Sequence, residues 1–88
     1  MSLADAVEFS PTHHFRWEEA QQAHVLLCPE GIVKLNETAA ILEAATARLS
    51  IGEAATELAA RYQRNDLHEQ ILRFLEVACA KGWIRIKP

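Results

Sequence analysis

Cysteine is scarce in this sequence. Cys28 and Cys79 are the only two among 88 residues, far apart and without a CxxC pair, so nothing in their spacing points to zinc. Both lie inside apolar runs, Val25-Leu26-Leu27-Cys28 and Val77-Ala78-Cys79-Ala80, where a cysteine acts as a small hydrophobe. Two reduced thiols and a cytoplasmic protein are the expectation, with a single disulfide as the alternative. Glycine is equally sparse: Gly31, Gly52 and Gly82 are too scattered for a phosphate-cradling loop. There is no surplus of positive charge. The net charge is −3, and residues 1–30 carry Asp5, Glu8, Glu18, Glu19 and Glu30 against Arg16 alone, which is not the footprint of a nucleic-acid binder. No apolar run reaches membrane-spanning length, and the first residues lack the charged start and apolar stretch of a signal peptide.

Catalytic groupings are missing as well. His13 and His14 would point to opposite faces of a strand, His24 and His68 stand alone, and His68-Glu69 is not followed by the HExxH spacing. Ser10, Thr38 and Ser50 lack the partners of an activated nucleophile. The reading is of a protein that is not an enzyme and that has no cofactor and no metal. A chain of this size buries only roughly 60–65% of its unfolded surface, so it forms one small core and no deep cleft.

What is present is a patterned junction. Residues 1–12 read as a flexible tail and residues 13–88 as one domain. Phe15 and Trp17 alternate with His14, Arg16 and Glu18, which predicts a strand over 14–18. Two more strands follow, over 24–28 and 32–35. Pro29 and Gly31 between them supply the fixed φ and the permissive φ of a tight turn. Leu26-Leu27 and Ile32-Val33 place apolar side chains on both faces, so one face or edge of this sheet needs a cover from elsewhere.

The remainder is helical. Asn36 is a candidate cap for a helix reaching about Arg48. Ser50-Ile51-Gly52-Glu53 matches a capping box and opens a helix to about Gln63. Asp66-Leu67-His68-Glu69 is a second box, opening a helix that carries Leu67, Ile71, Phe74, Leu75 and Ala78 on one stripe and ends before Gly82. Trp83-Ile84-Arg85-Ile86 is a terminal strand or an extended tail. The fold class is therefore α+β: a three-stranded antiparallel sheet followed by three helices, β-β-β-α-α-α, winged-helix-like.

That shape raises two readings. A DNA-reading helix needs basic residues outward, but Arg73 and Lys81 are offset by Glu69 and Glu76, so a DNA-binding regulator is the alternative. Peptide binding fits better. An apolar edge strand over Ile32, Val33, Lys34 and Leu35 can template an incoming strand, with Leu72, Arg73, Leu75 and Cys79 of the last helix lining a groove beside it. Each of these apolar residues also has an ordinary place in a core, and a sticky edge can equally pair two copies into a homodimer.

Several runs resemble the PqqD family, the pyrroloquinoline quinone biosynthesis protein D group. They are Arg16-Trp17-Glu18, Val25-Leu26-Leu27 with Pro29-Glu30-Gly31, Leu35-Asn36-Glu37 with Ala39-Ala40-Ile41-Leu42, Ala59-Ala60-Arg61-Tyr62, Phe74-Leu75, and Lys81-Gly82-Trp83-Ile84. They span roughly residues 15–84 in family order. Where family members often carry Asp-Gly between the first two helices, this chain has Arg48-Leu49-Ser50. The resemblance implies a non-enzymatic recognition element for a ribosomally made precursor peptide. The peptide would add as a strand beside the third strand, against the third helix, and be presented to a radical S-adenosylmethionine enzyme.

Overall fold

The computed structural model describes residues 1–47 and 50–88; Arg48 and Leu49, where the first helix was expected to end, lie outside the described residues. The elements are β1 (Val7–Phe9), β2 (His14–Glu18), a 3₁₀ turn (Glu19–Gln21), β3 (Ala23–Cys28), β4 (Gly31–Leu35), α1 (Thr38–Ala47), α2 (Ile51–Tyr62), α3 (Leu67–Ala80) and β5 (Ile84–Ile86). β2, β3 and β4 form the expected antiparallel meander, in that order across the sheet, and the three helices follow. No helix among the described residues is long and apolar enough to cross a membrane.

The β3–β4 turn is built as its residues require. Cys28 pairs with Gly31 and leaves Pro29-Glu30 as the loop. Proline cannot take the positive φ of the usual two-residue hairpin turns. The positive φ falls instead on Gly31, at +148°, where a side chain would be strained.

The chain start differs from the sequence expectation. Residues 1–12 contain β1, which pairs antiparallel with β5: Val7 with Ile86, Glu8 with Arg85, Phe9 with Ile84. Val7 is fully buried, and Glu8 accepts a hydrogen bond from Arg85 Nε at 2.6 Å. The same segment caps a helix. Leu3 and Asp5 carbonyls accept from the Gly52 and Ile51 N–H groups, both at 2.8 Å, so two otherwise unpaired donors of α2 are met by residues far away in sequence. Gly52 has a steric role there, since an added Cβ would sit 3.2 Å from the Leu3 carbonyl oxygen. Three residues are too few to show a period, and the partner strand is at the other end of the chain, which is why local patterning read a tail.

The helix boundaries divide into those made as expected and those made otherwise. Ser50 Oγ accepts from Glu53 N–H at 3.2 Å, the first half of a capping box; the Glu53 carboxylate meets the Ser50 hydroxyl at 3.3 Å. α1 begins at Thr38 rather than Asn36, and Asn36 contributes its backbone carbonyl, which accepts from Ala39 N–H at 3.1 Å. Asp66 makes no cap bond to α3. Its carboxylate is instead held by both Arg64 Nε and Nη2, at 3.0 and 2.8 Å. These hydrogen bonds hold the Asp66 carboxyl below its ordinary range. α3 stops with Gly82 at φ +80°, where Trp83 and Gly82 N–H groups bond back to the Ala78 and Cys79 carbonyls as in a Schellman motif.

One apolar core joins these parts. Leu26 and Leu35 of the sheet, Leu42 of α1, Ile51 and Leu58 of α2, Ile71 and Leu75 of α3, and Val7 and Ile84 of the small sheet are all buried in it. Buried alanines at 39, 44, 45, 54, 55 and 78 let the helices approach closely. Among the described residues no polar or charged side chain is buried.

Two stability predictions follow from these contacts. Val7→Ala should cost about 2 kcal/mol in urea unfolding, from two lost methyls and the space they leave; a change within error would mean that β1 does not belong to the core. Ser50→Ala should cost about 1 kcal/mol, whereas Asp66→Ala, which removes no cap bond, should barely move the midpoint measured the same way.

Candidate functional site

An antiparallel strand uses alternate N–H and C=O groups toward each neighbour. Among the described residues β3 has partners on both sides and β4 has one, so half of the β4 main-chain groups point away from the sheet. Its pairings are Leu35 with His24, Lys34 with Val25, Val33 with Leu26, Ile32 with Leu27 and Gly31 with Cys28.

This register sorts the four expected edge residues into two faces. Val33 and Leu35 share the face of Leu26 and meet the core; Leu35 is buried and Val33 is partly so. Ile32 and Lys34 share the outer face with Val25 and Leu27. Ile32 is 61% exposed, a large apolar side chain in water at the sheet edge. Val25 is buried although it lies on that outer face, directly between Arg16 and Lys34 in register. Long basic stems cover apolar neighbours in this way while their charges stay in water. Among the described residues, Lys34 has no ion-pair partner, so its charge is available at the edge.

The α3 residues are distributed differently from one another. Ile71, Leu75 and Ala78 form the buried stripe, so Leu75 is a core residue. Arg73 is exposed and pairs with Glu69 one turn earlier. Leu72 and Cys79 are half-buried on one flank of the stripe. At about 100° per residue, His68 and Glu76 lie on that same flank. His68 Nε2 is 3.4 Å from Thr56 Oγ1 of α2, and Glu76 is 4.0 Å from the amino group of Met1. This flank therefore faces α2 and the chain start. The opposite flank carries Phe74, packed on the core, and Val77, which is 51% exposed. Sequence reasoning put Phe74 in the core and passed over Val77; their i, i+3 spacing beside the buried stripe was the available signal.

At the far end of the sheet the core face carries an aromatic row. Phe9 stacks on Phe15 and Phe15 on His24, with centroids 5.3 and 5.0 Å apart, and Trp17 meets His24 edge-on at 5.1 Å. Nε2 of His24 lies 3.8 Å from the Glu43 carboxylate of α1, so this row also joins the sheet to the first helix.

Known proteins are similar to this chain. Residues 23–84 match the family described as Coenzyme PQQ synthesis protein D (PqqD). A PqqA binding protein of Stutzerimonas stutzeri is 39% identical, over 99% of this chain and 97% of its own length. Those of Methylococcus capsulatus and Azotobacter vinelandii are 40% and 41% identical, over 90% and 97% of this chain and 86% and 95% of theirs. Among solved structures, the PqqD truncation of Methylobacterium extorquens PqqCD, a stand-alone recognition element for ribosomally synthesised and modified peptides, superposes with a TM-score of 0.76. It covers 97% of this chain and 94% of its own at 20% identity, and so shares the fold. With the family match over most of its length and relatives of this identity along the whole of it, the chain belongs to the PqqD family.

Proposed function

We propose that this protein is a peptide chaperone of pyrroloquinoline quinone biosynthesis. It takes the ribosomal precursor peptide as an added strand along β4 and presents it to a radical S-adenosylmethionine enzyme. The observation that carries the reading is the open side of β4, in a member of a family whose curated relatives are named for binding PqqA. Main-chain hydrogen bonds along that edge supply affinity that is indifferent to sequence, and side-chain contacts select the peptide. An added strand alternates its side chains as β4 does. One set would lie beside Ile32 and Lys34 on the outer face, the other beside Val33 on the core face.

The role needs no catalytic group. The surface supplies a backbone edge, apolar contacts and Lys34, which has no ion-pair partner among the described residues, and the chemistry belongs to the partner enzyme. The two free cysteines fit a protein of the reducing cytoplasm. DNA reading draws no support, because the outward Arg73 is already paired with Glu69 and the net charge is negative. Pairing of two copies through β4 would compete with the peptide for the same backbone groups.

Titration of the isotope-labelled protein with the precursor peptide should shift the amide signals of residues 31–35 and of α3, with affinity about micromolar or tighter (about −8 kcal/mol). Saturable binding that leaves residues 31–35 unmoved would sink the strand-addition reading. Lys34→Glu should weaken an acidic peptide by about three- to tenfold at low salt, and by less as salt is raised, the behaviour of an exposed charge; calorimetry at two salt concentrations measures both.

A further inference from the structure

We propose that His13, Cys28 and Glu30 form a binding site for a borderline-soft divalent cation, zinc above all, at the corner where the start of β2, the end of β3 and the β3–β4 turn meet. Sheet register assembles it. His14 pairs with Leu27, so one step further along the ladder His13 lies opposite Cys28. Cys28 in turn faces Gly31, and Glu30 occupies the turn between them. One ligand atom from each of the three, sulfur, imidazole nitrogen and carboxylate oxygen, lies within 4.8 Å of the others.

A tetrahedral zinc ion with bonds of about 2.0–2.3 Å holds its ligand atoms about 3.3–3.6 Å apart. Side-chain rotation of about an ångström closes the difference, and the exposed Glu30 carboxylate is free to make it. The other two ligands are held more firmly. Cys28 belongs to a strand and packs against the core. The His13 backbone N–H donates to the Ser10 carbonyl at 2.9 Å, and Thr12 Oγ1 lies 3.1 Å from His13 Nδ1, a contact that orients the ring for ligation through Nε2.

The donor set selects the ion. A thiolate and an imidazole favour zinc over magnesium or calcium, which prefer oxygen. One thiolate and one carboxylate balance a double positive charge, and three protein ligands leave a fourth position for water. By themselves these three side chains are poorly suited to activate a thiolate nucleophile instead. Cys28 Sγ donates to the Leu26 carbonyl at 3.6 Å, and burial, followed by the Glu30 charge, pushes the thiol up from its usual range. A bound cation stabilises the thiolate directly, and the thiol proton passes to solvent as the metal–sulfur bond forms. The sequence expectation of no metal rested on the absence of a CxxC pair and of histidines at ligand spacing. Here the second and third ligands come from a neighbouring strand and a turn.

The test is a cobalt(II) titration, with zinc displacement, of the reduced full chain without an affinity tag. The expected result is one equivalent bound, a thiolate-to-cobalt charge-transfer band, and its loss on adding zinc. Cys28→Ser should abolish that band and Cys79→Ser should keep it. His13→Ala and Glu30→Gln should each weaken binding by about tenfold or more. A wild-type protein without the band, a band that survives in Cys28→Ser, or unchanged affinity in both His13→Ala and Glu30→Gln would overturn the site. Folding of each variant is checked from its amide spectrum. Should Cys28→Ser unfold, the His13 and Glu30 variants decide the question alone.

Discussion

The double pairing of β3 is the constraint on which the rest of this structure depends. A strand that satisfies its backbone on both sides must sit in the middle of the sheet, and its two neighbours must then be edges. The strict alternation of strand side chains turns that register into a fixed distribution of side chains. It sends Val33 and Leu35 inward and Ile32 and Lys34 outward, and it sets His13, Cys28 and the turn residue Glu30 at one corner. A slip of one residue would exchange the faces and move Leu26 and Leu35 out of the core.

The core supports this sheet from one side, and the chain ends hold the core together. β1 and β5 are short, and neither has another strand partner among the described residues, but they close the bundle by bringing Val7 and Ile84 into it. The segment before β1 meets the N–H groups at the start of α2, and Ser10 reaches across to the turn after α3, where its hydroxyl donates to the Gly82 carbonyl at 2.6 Å. The chain start therefore acts as a strap over the helices. In so small a domain, with a correspondingly thin margin of stability, such distant ties count for as much as helix propensity.

Much of this was legible residue by residue. The first strand of the meander and the three helices follow from periods of two and of 3.6, the other two strands from apolar runs on either side of a Pro-Gly turn, and Pro29, Gly31, Ser50 and Gly82 mark boundaries through their own backbone chemistry. Asp66 shows the limit of such reading. Its position suits a cap, but Arg64, two residues earlier, takes its carboxylate through two charge-assisted hydrogen bonds, and a helix-cap bond is the weaker competitor. The expected groove residues divide for a similar reason. Leu72, Leu75 and Cys79 all satisfy an amphipathic pattern, which defines the buried stripe but not what stands on either side of it.

By itself the sequence determined the types and most of the ends of the three meander strands and three helices, the edge strand Ile32–Leu35 and, through its motif runs, the family. These depend on residues close together in the chain, where φ preference, side-chain period and capping act locally. The tertiary structure alone decided that Val7–Phe9 is a strand, that one flank of α3 turns to α2 and the chain start, and that a histidine, a cysteine and a glutamate converge. Each of those depends on segments far apart in the chain meeting through backbone pairing and shared burial, and no local period records which partner a segment will find.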